Sequence, residues 1–278
     1  MDFTERLRQA AEKNKSIVCM GLDPVLEKIP VKGDTEQRIT KFYLDILNAV
    51  NSSDAKPGIV KPNYAFYAQY GFEGLRALKK IIEEYKKHFL VILDCKRADI
   101  GNTSAAYAKE VFDFWGADAI TVQPYLGYDS IKPFIDYCKK GKGVYLLVRT
   151  SNPGAREVQD LVSGNKPVYM KIAENVLKYH EPGVSAVVGA TYPQELEKIS
   201  EFFVKSGKSV PFLIPGVGAQ GGSAKEVVSA LKKTKNELAI HRINSSSGIN
   251  YAYEKSNTKD YADAAVKAIE ELNGEIGF

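Results

Sequence analysis

Apolar residues along the chain fall into two alternating patterns. Short continuous runs read as strands covered on both faces. Each is followed by a stretch in which apolar positions recur every three or four residues, as on one side of a helix. Ile17 to Leu22 predicts a first strand, and Ile39, Phe42, Ile46, Leu47 and Val50 then mark a helix. Gly58 to Lys61 predicts a second strand, with a helix around Leu75 to Lys86 after it. Phe89 to Asp94 is the clearest strand, and a helix from Ser104 to Phe114, capped by Asn102 or Thr103, follows. Further strands are predicted at Ala119 to Val122, Val144 to Val148, Val184 to Val188, Phe212 to Ile214 and Leu238 to Ile243, with a last helix from Asp260 to Leu272. Strand–helix units repeated without a linker predict an α/β fold, a (β/α)8 TIM barrel forming a single domain over residues 1–278. A doubly wound open sheet is the alternative.

Composition leaves this picture intact. Of 278 residues, 44% are hydrophobic and 26% charged, as in an ordinary globular domain rather than a disordered chain. No apolar run approaches the ~20 residues needed to span a bilayer. The charged start, MDFTERLRQA, lacks an apolar signal core, so a cytoplasmic protein without a membrane partner is expected. The net charge of +4 is spread among interspersed lysines and acids, with no stripe to suggest nucleic-acid binding; a small anionic substrate suits it. Cys19, Cys95 and Cys138 show no metal or disulfide spacing and read as reduced core thiols. His88, His180 and His241 are isolated, so no metal site is predicted.

Candidate chemistry collects where the predicted strands end, the face on which such barrels carry their active sites. The ends read Asp23; Lys61; Asp94-Cys95-Lys96 continuing to Asp99; Arg149-Thr150-Ser151-Asn152-Pro153-Gly154; Pro215-Gly216-Val217-Gly218; and Asn244-Ser245-Ser246-Ser247-Gly248. Asp94 and Lys96, two apart on a strand, leave from one face while Cys95 points away. A D-x-K-x-x-D string can arise by chance as a structural salt bridge, but Asp23 and Lys61 at neighbouring strand ends make a charged mouth. Lysines interleaved with carboxylates stay protonated, which suits proton donation rather than Schiff-base chemistry. Gly216, Gly218 and Gly221 spell G-x-G-x-x-G, but the acid a dinucleotide site needs is missing further on. A phosphate cradle after the seventh strand fits better than a plain glycine-rich turn. Ser151 on its own would be a turn or capping residue. Tyr64, Phe66, Tyr67 and Tyr70 read as helix packing, and Trp115 as core.

The ordered set Asp23, Lys61-Pro-Asn63, Asp94-x-Lys96-x-x-Asp99-Ile-x-Asn-Thr103, Ser151-Asn-Pro-Gly and Pro215-Gly-Val-Gly-Ala-Gln220 resembles the orotidine 5'-monophosphate decarboxylase family, in its branch with the longer chain. The resemblance runs from about Ile17 to Ile249. It implies a homodimeric barrel that converts orotidine 5'-monophosphate to uridine 5'-monophosphate without metal or organic cofactor. Lys96 would protonate C6 as carbon dioxide leaves, with Asp94 beside the departing carboxylate. Asp23 and Lys61 would hold the ribose and fix the charge network. Asp99 and Thr103 would enter the neighbouring subunit's site. Ser151 would contact the pyrimidine, and Gln220 with the backbone after Pro215 would hold the phosphate. Asn63, Gly218, Ser247 and Gly248 complete the implied substrate contacts.

One position departs from the family pattern, because Ser247 stands where an arginine that pairs with the phosphate is expected. A charged hydrogen bond is worth about 1.5–3 kcal/mol, so weaker phosphate capture is expected unless Arg156 or Arg242 compensates. Two other readings remain open at this point. One is a related barrel sugar-phosphate lyase or epimerase, which metal dependence would reveal; the other is a nucleotide-phosphate-binding protein without turnover.

Overall fold

The computed structural model describes residues 1–218 and 221–278. Its principal sheet has eight parallel strands. They are β1 (Val18–Leu22), β2 (Ile59–Pro62), β3 (Ile92–Arg97), β4 (Ala119–Val122), β5 (Gly143–Arg149), β6 (Val184–Val188), β7 (Phe212–Ile214) and β8 (Arg242–Ser245). The ladder runs β3-β4-β5-β6-β7-β8-β1-β2. Isolated parallel bridges Val60↔Val91 and Asn63↔Asp94 bring β2 back to β3 and close the barrel. The α/β TIM barrel is therefore the fold, and the open-sheet alternative falls. Closure leaves no free sheet edge, although the β2–β3 seam is thin, and the helices cover the outer faces.

Two expected elements shift. The apolar run Leu238–Ile240 is a 3-10 turn, and the eighth strand begins later, at Arg242. Polar residues obscure that strand because Arg242 and His241 are themselves fully buried. The helix after β3 starts at Gly101, so Asn102 and Thr103 lie within its first turn and neither caps it. Asp99 ties this turn instead: its Oδ1 accepts the Ile100 N–H at 2.8 Å and its carbonyl accepts the Ser104 hydroxyl at 2.6 Å.

The barrel interior is filled by Cys19, Ile59, Ile92, Ala119, Tyr145, Leu147, Val187 and Leu213, with Phe3 and Leu7 packed among them. Phe3 and Leu7 come from a helix over Phe3–Asn14, capped by Asp2 through the Glu5 N–H. Its apolar residues recur at Phe3, Leu7 and Ala11, a stripe that plugs the amino-terminal end of the barrel. The opposite end is left for polar groups. Trp115 and Tyr67 are core residues, as expected, whereas Phe66 faces the cavity described next. Cys19 and Cys138 are buried and Cys95 is half-buried; burial pushes each thiol up to about 12. Among the described residues, no helix is long and apolar enough to cross a membrane.

Candidate active site

A cavity of about 780 Å³ opens at the carboxyl ends of the strands. Asp23, Lys61, Asn63, Asp94, Lys96, Ser151, Pro215 and Ser247, read from separate stretches of sequence, all line it. Asp94 is the hub. Its Oδ2 accepts from Lys61 Nζ at 2.9 Å, and its Oδ1 accepts from Lys96 Nζ at 2.7 Å and Thr121 Oγ1 at 2.8 Å. Thr121, on β4, also accepts the Lys96 backbone N–H at 3.0 Å. Sequence reasoning missed Thr121; a hydroxyl inside an otherwise apolar strand was the available signal.

Asp94 and Lys96 do share a face, but not through regular strand alternation. The β3–β4 register slips between Leu93 and Arg97, and Lys96 adopts the left-handed region at φ 42°. Such bulges re-aim side chains at the rims of barrels, and a left-handed non-glycine residue costs about 1–3 kcal/mol. Arg97, next along, points outward between the rings of Tyr64 and Tyr107 and bonds Glu110 at 2.7 Å.

Burial opposes the charged forms of Lys61 and Asp94, yet their mutual attraction prevails. Asp94, with Asp23 at longer range, holds the Lys61 ammonium above the ordinary lysine value. Lys61 and Lys96 together hold the Asp94 carboxyl well below the usual carboxylate range. The row thus joins buried Lys61 and Asp94 to a half-exposed Lys96 that reaches into the cavity.

Among the described residues, two buried acceptors in the cavity have no partner, Asp23 Oδ1 and Asn244 Oδ1. Buried polar atoms are nearly always paired, so these mark places for donors on a ligand. Asn244 was passed over as a binding residue in the sequence. Ser246, also in the lining, presses its Oγ against Gly21, where a Cβ would lie 1.9 Å away, so only glycine fits beneath it. Gln159 shapes the opposite wall, accepting the Thr150 N–H at 3.0 Å and donating to its hydroxyl at 2.8 Å beside Ser151.

In the glycine-rich segment after β7, Gly216, Gly218 and Gly221 have φ of 98°, 79° and 85°. Three of its amides are spent internally: Gly218 N–H on the Gly222 carbonyl, Gly221 on Gly218 and Gly222 on Gly216. Pro215, Gly216 and Val217 face the cavity, whereas Gly218 and, after β8, Gly248 are not in its lining. Gln220 lies outside the described residues. Asp99 and Thr103 do not line the cavity of their own chain; Thr103 is exposed beside Ile100, itself 59% exposed. Arg242 is at the far end of the barrel, bonded to the carbonyls of Ala239, His241 and Leu7, so it cannot stand in for an arginine at 247. Arg156 stacks over Tyr192, 4.6 Å from ring centroid to guanidinium carbon.

Comparison with known proteins gives a consistent result. The profile of the orotidine 5'-phosphate decarboxylase / HUMPS family matches residues 16–260. The chain is 41% identical over 271 residues to an orotidine 5'-phosphate decarboxylase of Herpetosiphon aurantiacus, covering 95% of this chain and 94% of that one. It is 38% identical over 283 residues to one of Dehalococcoides mccartyi, covering 99% and 97%. The solved structure of Leishmania donovani OMP decarboxylase superposes with a TM-score of 0.78 at 30% identity, covering 100% of both chains.

Proposed function

The chain belongs to the orotidine 5'-phosphate decarboxylase family, and from that premise we propose that it converts orotidine 5'-monophosphate to uridine 5'-monophosphate in pyrimidine biosynthesis. The observation that carries the mechanism is the Lys61–Asp94–Lys96 row in the cavity wall. The scissile carboxylate sits against Asp94, so ground-state repulsion is relieved as carbon dioxide departs. The electron pair of the broken C–C bond stays on C6 in the ring plane, where the Lys96 ammonium stabilises it and then donates its proton; water restores the lysine. Charge that is already oriented costs no reorganisation as the carbanion forms. The atoms and electrons of this step balance without metal or organic cofactor.

Lys61 keeps Asp94 charged and in place. Asp23, with its unmatched Oδ1, and Asn63 receive the ribose hydroxyls. Ser151 meets the pyrimidine. The phosphate lies toward Pro215, Gly218, Gln220, Ser247 and Gly248, the side where barrels of this kind often hold phosphate. Binding energy from that remote group is what orients the reacting carbon. Half-buried Asp99 and exposed Thr103, both off their own cavity, serve the site of a second copy, which makes the working unit a homodimer. With serine at 247, phosphate capture is weaker than an arginine would give, and Ser247→Arg should lower KM.

Loss of the orotate absorbance on adding metal-stripped protein to orotidine 5'-monophosphate tests the reading, with Lys96→Ala as control. Turnover by the parent alone supports it. Equal activity in the Lys96→Ala protein would remove Lys96 from the mechanism, and turnover only after adding a divalent metal would point to a different barrel chemistry.

A further inference from the structure

We propose that Lys28, in the loop after β1, supplies the positive charge that holds the substrate's phosphate. The proposal rests on the reading above and adds a residue that neither motif nor spacing singled out. Among the described residues, the charged groups lining the cavity are Asp23, Lys28, Lys61, Asp94 and Lys96. Lys61 and Lys96 are both bonded to Asp94, and with Asp23 their charges cancel. Lys28 is the positive charge left over in that wall. A phosphate monoester carries close to two negative charges at neutral pH, and a neutral wall has nothing to set against them.

Its position is on the correct side. β1 pairs with β8, and the Lys28 Nζ lies 2.6 Å from Glu254 and 5.3 Å from the Tyr251 ring centroid, both in the segment that follows Ser245–Ser247. Those serines share the cavity lining with it. The backbone carrying Lys28 is pinned from several directions. Val25 N–H donates to the Tyr251 hydroxyl at 2.7 Å, Leu26 N–H to the Tyr70 hydroxyl at 3.2 Å, and Arg38 donates to the carbonyls of Leu26 and Ile29 at 2.6 and 3.0 Å. Only the side chain needs to move. Its partner Glu254 is outside the lining, and at 44% and 40% side-chain exposure the two form the kind of surface pair that contributes little. A dianion arriving in the cavity takes Lys28 from Glu254, so the carboxylate acts as a resting place for the ammonium between substrates.

The test measures affinity for uridine 5'-monophosphate and for uridine by calorimetry, alongside turnover. Lys28→Met is expected to weaken the nucleotide roughly 10- to 100-fold, as for a lost charge-assisted contact, and uridine by less than about twofold. Glu254→Gln, which removes the competing carboxylate, is expected to tighten the nucleotide, and Lys28→Met/Ser247→Arg to restore it. If Lys28→Met weakens both ligands equally, or neither, the proposal falls. It also falls if Glu254→Gln mimics Lys28→Met, since the pair would then be a structural strut. Failure of the decarboxylase reading shows separately, as no turnover by the parent protein, because the nucleotide-to-nucleoside ratio tests Lys28 either way. A parent that binds both ligands alike overturns the proposal.

Discussion

Lys61 and Arg242 are buried cations at opposite ends of one barrel, and they are held in opposite ways. Lys61 faces a carboxylate 2.9 Å away, and that attraction outweighs its burial, raising its pKa. Arg242 has carbonyl oxygens from Leu7, Ala239 and His241 but no carboxylate, and burial pushes it down to about 10. The first arrangement builds a field aimed at a ligand. The second fastens the amino-terminal helix to β8 with neutral acceptors and leaves no charge pattern for a substrate. Burial of a charge therefore does not by itself identify an active site.

The largest effect that separates the two ends is expected from Lys96→Ala, which should lower kcat by about 10³-fold or more if, as proposed, Lys96 is the proton donor and stabilises the carbanion. The melting temperature should hardly move, because the Lys96 side chain is 50% exposed; a collapse in stability would mean the array is architectural too. Arg242→Met should do the reverse. Three orphaned carbonyls are expected to cost roughly 3 kcal/mol in urea unfolding, with kcat per folded molecule unchanged.

Acid separates the ends next. His241 accepts the Phe212 N–H through Nδ1 at 3.0 Å, and burial, helped by Arg242, pushes its pKa down to about 3. The unfolded chain binds a proton there near pH 6.5 and the native state does not, so stability falls as pH drops below that value. By pH 5 the loss should reach about 2 kcal/mol. Asp94, with a lowered pKa, and Lys61, with a raised one, hold their contributions constant across this range. Urea midpoints at pH 7 and 5, for the parent and for His241→Gln, check the assignment; an unchanged pH slope in the variant would refute it. The smallest effect is the most diagnostic of the bulge. Lys96→Gly should remove activity while raising stability by about 1 kcal/mol, since glycine accepts the left-handed backbone at position 96.

The alternating pattern made most of the barrel readable because strands covered on both faces are apolar throughout, and the point where Asp23, Lys61 or Asp94 interrupts a run marks the mouth. The same rule shifted β8, expected at Leu238 to Ile243, because buried Arg242 and Asn244 look like the end of a strand rather than its body. Asp94 and Lys96 were legible as a pair, but the backbone bulge that joins them depends on the β3–β4 register, which no local spacing encodes. Gln159 and Lys28 were beyond reach for a related reason: each matters through a neighbour on another strand or loop, and as isolated residues they look like any amide or surface lysine, whereas Thr121 at least stood out as a hydroxyl in an apolar strand. The helix over Phe3–Asn14 was within reach, since its Phe3, Leu7 and Ala11 stripe is an ordinary amphipathic signal.

The uneven closure of the barrel bears on how it can be cut and rejoined. Between β1 and β8, which no direct connection in the chain spans, the ladder is continuous through Val18, Cys19 and Met20. Between β2 and β3 the ladder thins to isolated bridges, and there the covalent chain itself, through the helices 64–68 and 71–85, does the joining. At these two seams one kind of link is strong where the other is weak or missing, whereas pairs such as β1–β2 and β4–β5 have both. A circular permutant opened between β2 and β3 would leave that seam to its isolated bridges alone, and the first side chains to part would be Lys61 and Asp94, so the charged row at the mouth would separate while most of the barrel still stood.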